Sequence, residues 1–153
     1  MNVSNLAFYI GKTQNRNLVI YTFNIINDII NPEKPLINYW LMREDNNRTE
    51  ELNYIEDSRA FGYKVIESPV GSTDIHFKIV SIDDIFLIRK AQNSNKYNVI
   101  IILDIDNSTR EYILKKVFLH LSGMMDQNVD SIDFICEAPE TGKLFTHERI
   151  INS

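Results

Sequence analysis

A chain of 153 residues with 44% hydrophobic and 24% charged side chains has the size and composition of one globular domain, 1–153, able to bury its core without disulfide or metal help. Its formal charge of −5, with no basic cluster larger than Lys115-Lys116, argues against a nucleic-acid partner, which requires a concentrated positive patch. No apolar run is long enough to cross a bilayer, so no transmembrane segment is expected.

Met1-Asn2-Val3-Ser4-Asn5 lacks the basic start of a signal peptide. The chain as given is therefore expected to be soluble and cytoplasmic, or exported if a leader has been removed.

Short β-prone runs follow one another between turn residues. They are predicted at 6–11, 18–24, 36–43, 63–68, 75–80, 85–91, 99–104, 111–120, 129–137 and 143–150. The separators are rich in Asn, Pro, Gly, Ser and Asp, which supply positive φ, fixed φ or local side-chain bonds to the backbone. Ile75, Phe77 and Ile79 alternate with His76 and Lys78, whereas 99–103 is apolar throughout, the mark of a strand buried on both faces. Segment 114–121 also fits helical spacing through Leu114, Val117 and Leu121, so its type stays open. One helix is predicted near residues 48–60. Asn47 and Glu50 would form its capping box, Leu52 and Ile55 its buried stripe, Glu56 and Arg59 a surface pair, and Gly62 its end. The fold class is mainly β: an antiparallel barrel or sandwich of roughly 8–10 strands, calycin-like in outline, with that one helix.

Several motifs suggest chemistry and fail on inspection. The run 99–108 looks like a strand carrying paired aspartates, Asp104 and Asp106, to a Mg²⁺, but a strand ending in an Asp-Asn-Ser turn explains the same letters. Read as a calcium loop, it has Thr109 and Lys115 where Gly and a bidentate Glu are needed. Glu140-Thr141-Gly142-Lys143-Leu144 has neither the first Gly nor the Ser/Thr of a P-loop and reads as a hairpin turn. His76, His120 and His147 are far apart in sequence, and no serine lies in a nucleophile-elbow context, so no catalytic residue, metal site or cofactor is assigned. Cys136 shares a strand face with Ile132 and Phe134 and reads as a small buried hydrophobe.

The segment 39–63 remains. Tyr39, Trp40, Arg43, Glu51, Tyr54, Glu56, Arg59 and Tyr63 bring aromatics with polar tips together with carboxylates and guanidinium groups, the groups that ligand pockets use for orientation. An ordinary contact of a helix on a sheet uses the same residues.

The order of Phe8-Tyr9-Ile10, Asn15 to Tyr21, Asn31-Pro32 and Tyr39-Trp40, and then of Arg48, Glu51-Leu52, Ile55-Glu56 and Ala60-Phe61-Gly62, resembles an uncharacterised bacterial family, domain of unknown function 4833. Asp130 to Phe134, Thr141-Gly142 and Glu148-Arg149-Ile150 extend the likeness over nearly the whole chain. The resemblance implies a β-rich fold and an exported protein, although no leader is expected from the residues at the start of the sequence as given, and it brings no activity or catalytic residues. The leading functional expectation is non-enzymatic binding of a small, partly apolar ligand in a barrel mouth lined by Tyr39, Trp40, Tyr54 and Tyr63. The alternative is a protein–protein interaction or assembly module using strand edges. An enzyme of hydrolase type, using Glu51 or Glu56 with Arg59 or His76, stands third because a nucleophile–base pair is missing.

Overall fold

Every predicted strand segment forms. A computed structural model describes residues 3–123 and 128–151, so Met1 and Asn2, read above for a leader, lie outside the described residues. In chain order the strands are β1 (Leu6–Lys12), β2 (Asn15–Phe23), β3 (Ile25–Ile26), β4 (Ile29–Ile30), β5 (Leu36–Met42), β6 (Arg48–Glu50) and β7 (Tyr63–Ile66). They continue as β8 (Ile75–Ile79), β9 (Ile85–Lys90), β10 (Tyr97–Ile105), β11 (Ser108–Ser122), β12 (Asn128–Glu137) and β13 (Leu144–Ile150). Segment 114–121 is strand, because both of its edges are taken by neighbouring strands.

The turn chemistry works as its residues dictate. Ile105 pairs with Ser108 across Asp106 and Asn107, both at positive φ, a tight two-residue hairpin that accounts for the Asp-Asn-Ser signal. Asn27 and Asp28 build the same turn between Ile26 and Ile29. Gly142 closes the β12–β13 loop at positive φ, with its N–H donating to Ala138 O at 2.8 Å.

The strands form one 11-stranded sheet curled into a half-barrel, with β3 and β4 as a separate hairpin. Strand β11 organises it. Its first half pairs with β10 and its second half with β1 along the same edge, while β12 takes the other edge. The sheet therefore branches at β11 into β10-β9-β8-β7 and β1-β2-β5-β6. The β1–β11 pairing is parallel, the one departure from an antiparallel scheme among the described strands. It arises because the two segments lie far apart in the chain and need no hairpin between them.

The two branches curl toward each other over a filled interior. Phe8 stacks on Tyr21 with centroids 4.3 Å apart, and Phe77 and Phe86 stack at 5.4 Å beside them, all fully buried. Side chains, not a ladder, tie the far ends of the branches together. The Tyr63 hydroxyl donates to Leu36 O at 2.5 Å and accepts from Leu36 N–H at 3.0 Å, and the Tyr21 hydroxyl donates to Phe61 O at 2.6 Å. Cys136 lies on the inner face as expected, and burial pushes its thiol up to about 12.

The helix near 48–60 is shorter and later than expected. Arg48–Glu50 pairs with β5 as β6 because Trp40, Leu41 and Met42 would otherwise leave an open edge. Helix α1 is a single turn, Tyr54–Glu56, continued by a π-helical turn, Asp57–Phe61. The capping box is made by Asn53 and Glu56, not by Asn47 and Glu50. Asn53 Oδ1 accepts from Glu56 N–H at 2.8 Å, and Glu56 Oε1 accepts from Asn53 N–H at 2.9 Å. Asn47 instead sits at positive φ in the β5–β6 connection. Leu52 packs against the core, but Ile55 is 62% exposed, and Glu56 is engaged by the cap instead of by Arg59. No helix among the described residues is long and apolar enough to cross a membrane.

Candidate functional site

Strand alternation divides the residues singled out in 39–63. On β5, Leu36 and Trp40 turn inward to the core, whereas Tyr39 and Leu41 belong to the outer side, where Arg43 of the following turn joins them. Trp40 is buried and meets Phe61 edge-on at 5.5 Å, with Lys12 Nζ 5.6 Å above its ring. Tyr63 is committed to Leu36 and to an edge contact with Phe77. Both residues hold the fold together, and the interior they were expected to line as a barrel mouth is occupied by the stacked rings. Tyr54 is 84% exposed and Arg59 is exposed. Glu51 borders a shallow depression beside Tyr39, Thr49 and Glu50, and Glu56 borders a small one of about 220 Å³ with Lys12, Trp40 and Glu50.

What the fold assembles instead is an outer groove over β1, β2 and β5. Tyr9 pairs with Ile20, and Ile20 pairs with Tyr39, so the two phenol rings flank a fully buried isoleucine across adjacent strands. Tyr9, Tyr39 and Leu41 supply the apolar lining, and Val3, Ser4, Arg43, Asn47 and Thr49 complete an open groove of about 810 Å³. Burial raises the Tyr39 phenol above its ordinary value, so it stays a neutral donor across the physiological range. The Arg43 guanidinium makes no ion pair or side-chain hydrogen bond among the described residues. Tyr9 escaped the sequence reading because it lies thirty residues before Tyr39. The signal that could have found it is parity: on paired strands, Tyr9, Ile20 and Tyr39 are forced to one face.

A charged network occupies the outer face of the other branch. Arg89 forks between two carboxylates, reaching Asp74 at 2.7 and 3.0 Å and Glu111 at 2.8 and 2.9 Å. The guanidinium holds both carboxyls below their ordinary values. A carboxyl whose folded pKa is depressed adds stability above its unfolded pKa and loses it as pH falls through the folded value. Urea midpoints of the wild type should therefore fall on acidification from about pH 6 to about pH 3, and Arg89→Met should flatten that fall. An unchanged acid limb in Arg89→Met would mean that the network adds nothing to stability.

Beside this network the Ser68 hydroxyl lies 3.0 Å from His76 Nδ1 and donates to Asp74 O at 2.8 Å. A hydroxyl has one proton, and giving it to the main chain leaves only lone pairs for the ring. His76 then donates from Nδ1, the reverse of a general base activating a serine, and the pair clasps the β7–β8 loop. His120 meets Asp133 at 2.7 Å on the outer face of β11 and β12. Among the described residues, no group of three or more His, Cys, Asp or Glu side chains is arranged to hold a metal ion.

These features define a β-rich half-barrel with an outer groove. Residues 8–149 match the family model described as Domain of unknown function (DUF4833), and the chain belongs to that family. No curated protein and no solved structure matches the chain.

Proposed function

We propose that this protein is a non-enzymatic binding module that takes a small, partly apolar ligand with an anionic group in the outer groove between Tyr9 and Tyr39. The observation that carries this reading is the Arg43 guanidinium, without a side-chain partner among the described residues, on the rim of a groove lined by Tyr9, Tyr39 and Leu41. A cation left free beside an apolar floor suits a carboxylate or phosphate joined to an apolar body. The neutral Tyr39 phenol supplies a second donor. The volume of about 810 Å³ lies in the range of small-molecule sites.

Ligand-observed NMR with a panel of aromatic and medium-chain carboxylates and phosphates tests the reading. A hit should weaken about 10-fold or more in Arg43→Ala, since a hydrogen bond to a charged group contributes about 1.5–3 kcal/mol. Tyr39→Ala should weaken it comparably, and Tyr54→Ala should not. An empty panel, or binding that is indifferent to Arg43→Ala, defeats the proposal.

A further inference from the structure

Because the half-barrel is open, β6, β7 and β13 are left as strand edges among the described residues. Unpaired edges invite another strand, and proteins blunt them with short length, lysine, proline or bulges. Strand β6 is only Arg48-Thr49-Glu50, exposed and charged at both ends. Strand β7 is four residues long, carries Lys64, and runs on toward Pro69. Strand β13, Leu144–Ile150, is less guarded: seven residues with no lysine, proline or glycine inside it, its Arg149 being taken up by Asp84.

The ladder fixes which way its main chain points. Bonded and unbonded pairs alternate in an antiparallel ladder. The bonds at its two ends, Ile151 N–H to Asp130 O at 2.8 Å and Ala138 N–H to Lys143 O at 2.9 Å, set the phase. Phe145, His147 and Arg149 direct their N–H and C=O groups to β12. Leu144, Thr146, Glu148 and Ile150 direct theirs outward, with their side chains exposed.

We propose that the free edge of β13 pairs with the β13 of a second copy of this chain, antiparallel about a twofold axis at His147. That register is singled out by parity and by side chains. An antiparallel pair bonds only where both residues turn their main chain toward the partner, and centring on His147 engages all of the outward residues at once. Leu144, 59% exposed, then lies opposite the partner's Ile150, 56% exposed, so the two apolar ends cover each other. Thr146 lies opposite the partner's Glu148, so no carboxylate faces another. Moving the axis to Thr146 or Glu148 takes an end residue out of the pairing and separates Leu144 from Ile150.

Sedimentation velocity on the full chain over a concentration series tests this. The wild type should rise from 17.9 kDa toward twice that mass. Thr146→Pro should stay at 17.9 kDa with an unchanged circular-dichroism spectrum, because the lost N–H faces outward and not toward β12. Ile150→Lys should raise the midpoint concentration of association at least about 10-fold without touching the main chain. Val65→Lys on β7 should associate like the wild type. A wild type that remains at 17.9 kDa throughout, or association undiminished by Ile150→Lys, overturns the proposal.

Discussion

Phe8→Ala is expected to cost about 3–5 kcal/mol, the range for removing a large ring from a packed core. Phe8 is fully buried at the point where the two branches of the sheet meet, stacked on Tyr21 at 4.3 Å and lying 6.4 Å from both Phe77 and Phe86. These neighbours come from β2, β8 and β9, so the surrounding strands cannot all move into the space the ring leaves. Domain stabilities total about 5–15 kcal/mol, so this one substitution removes a large share. Urea denaturation should show the midpoint falling at unchanged slope, and Tyr54→Ala, on an exposed ring, should stay within about 0.5 kcal/mol of wild type. A loss below about 1 kcal/mol for Phe8→Ala would mean that the stacked rings are not the structural centre.

Gly62→Ala should be nearly as damaging, for a reason unrelated to backbone handedness. Gly62 ends the π-helical turn, as its place in the sequence suggests, but at φ −65°, a value any residue adopts. Space is the constraint. A Cβ there would fall 2.0 Å from Asp57 O and 2.8 Å from Asp57 C, both main-chain atoms. The Gly62 N–H also donates to Asp57 O, and Gly62 O accepts from Val80 N–H, each at 2.9 Å. Alanine must therefore open the turn. That moves Phe61, whose carbonyl accepts from the Tyr21 hydroxyl at 2.6 Å and from Asn38 Nδ2 at 3.2 Å. Overpacking of about 1–3 kcal/mol and loss of a buried hydrogen bond, about 1–3 kcal/mol, together predict a cost of about 2–6 kcal/mol. A double-mutant cycle with Tyr21→Phe should be less than additive, because both changes break the same tie between branches. Full additivity would separate the turn from that tie.

That tie explains the Trp40 region better than a binding mouth does. Trp40, Phe61, Tyr63 and Tyr21 join the end of one branch to the end of the other. The aromatic and polar groups of 39–63 that read as a pocket are, on the inner side, the closure of the half-barrel. Tyr39 and Arg43, on the other side of β5, belong to the groove with Tyr9.

The sequence by itself determined the strand positions, the turns at Asp106-Asn107 and Gly142, and the burial of Cys136. Each depends on neighbours a few residues away, through the two-residue alternation of a strand or the φ preferences of turn residues. The tertiary structure alone decided the rest. Strand β11 is long enough to hold β10 and β1 on one edge, the latter in a parallel contact between segments far apart in the chain that no local pattern encodes. The curl then chose which face of each strand became the interior, and so parted Trp40 from Tyr39 and brought Tyr9 to Tyr39. The helix signal at 48–50 yielded to pairing with β5, and Arg89 found Asp74 in the β7–β8 connection and Glu111 on β11. Register between distant strands follows from burying one continuous core, a property of the whole chain that no short stretch of residues carries.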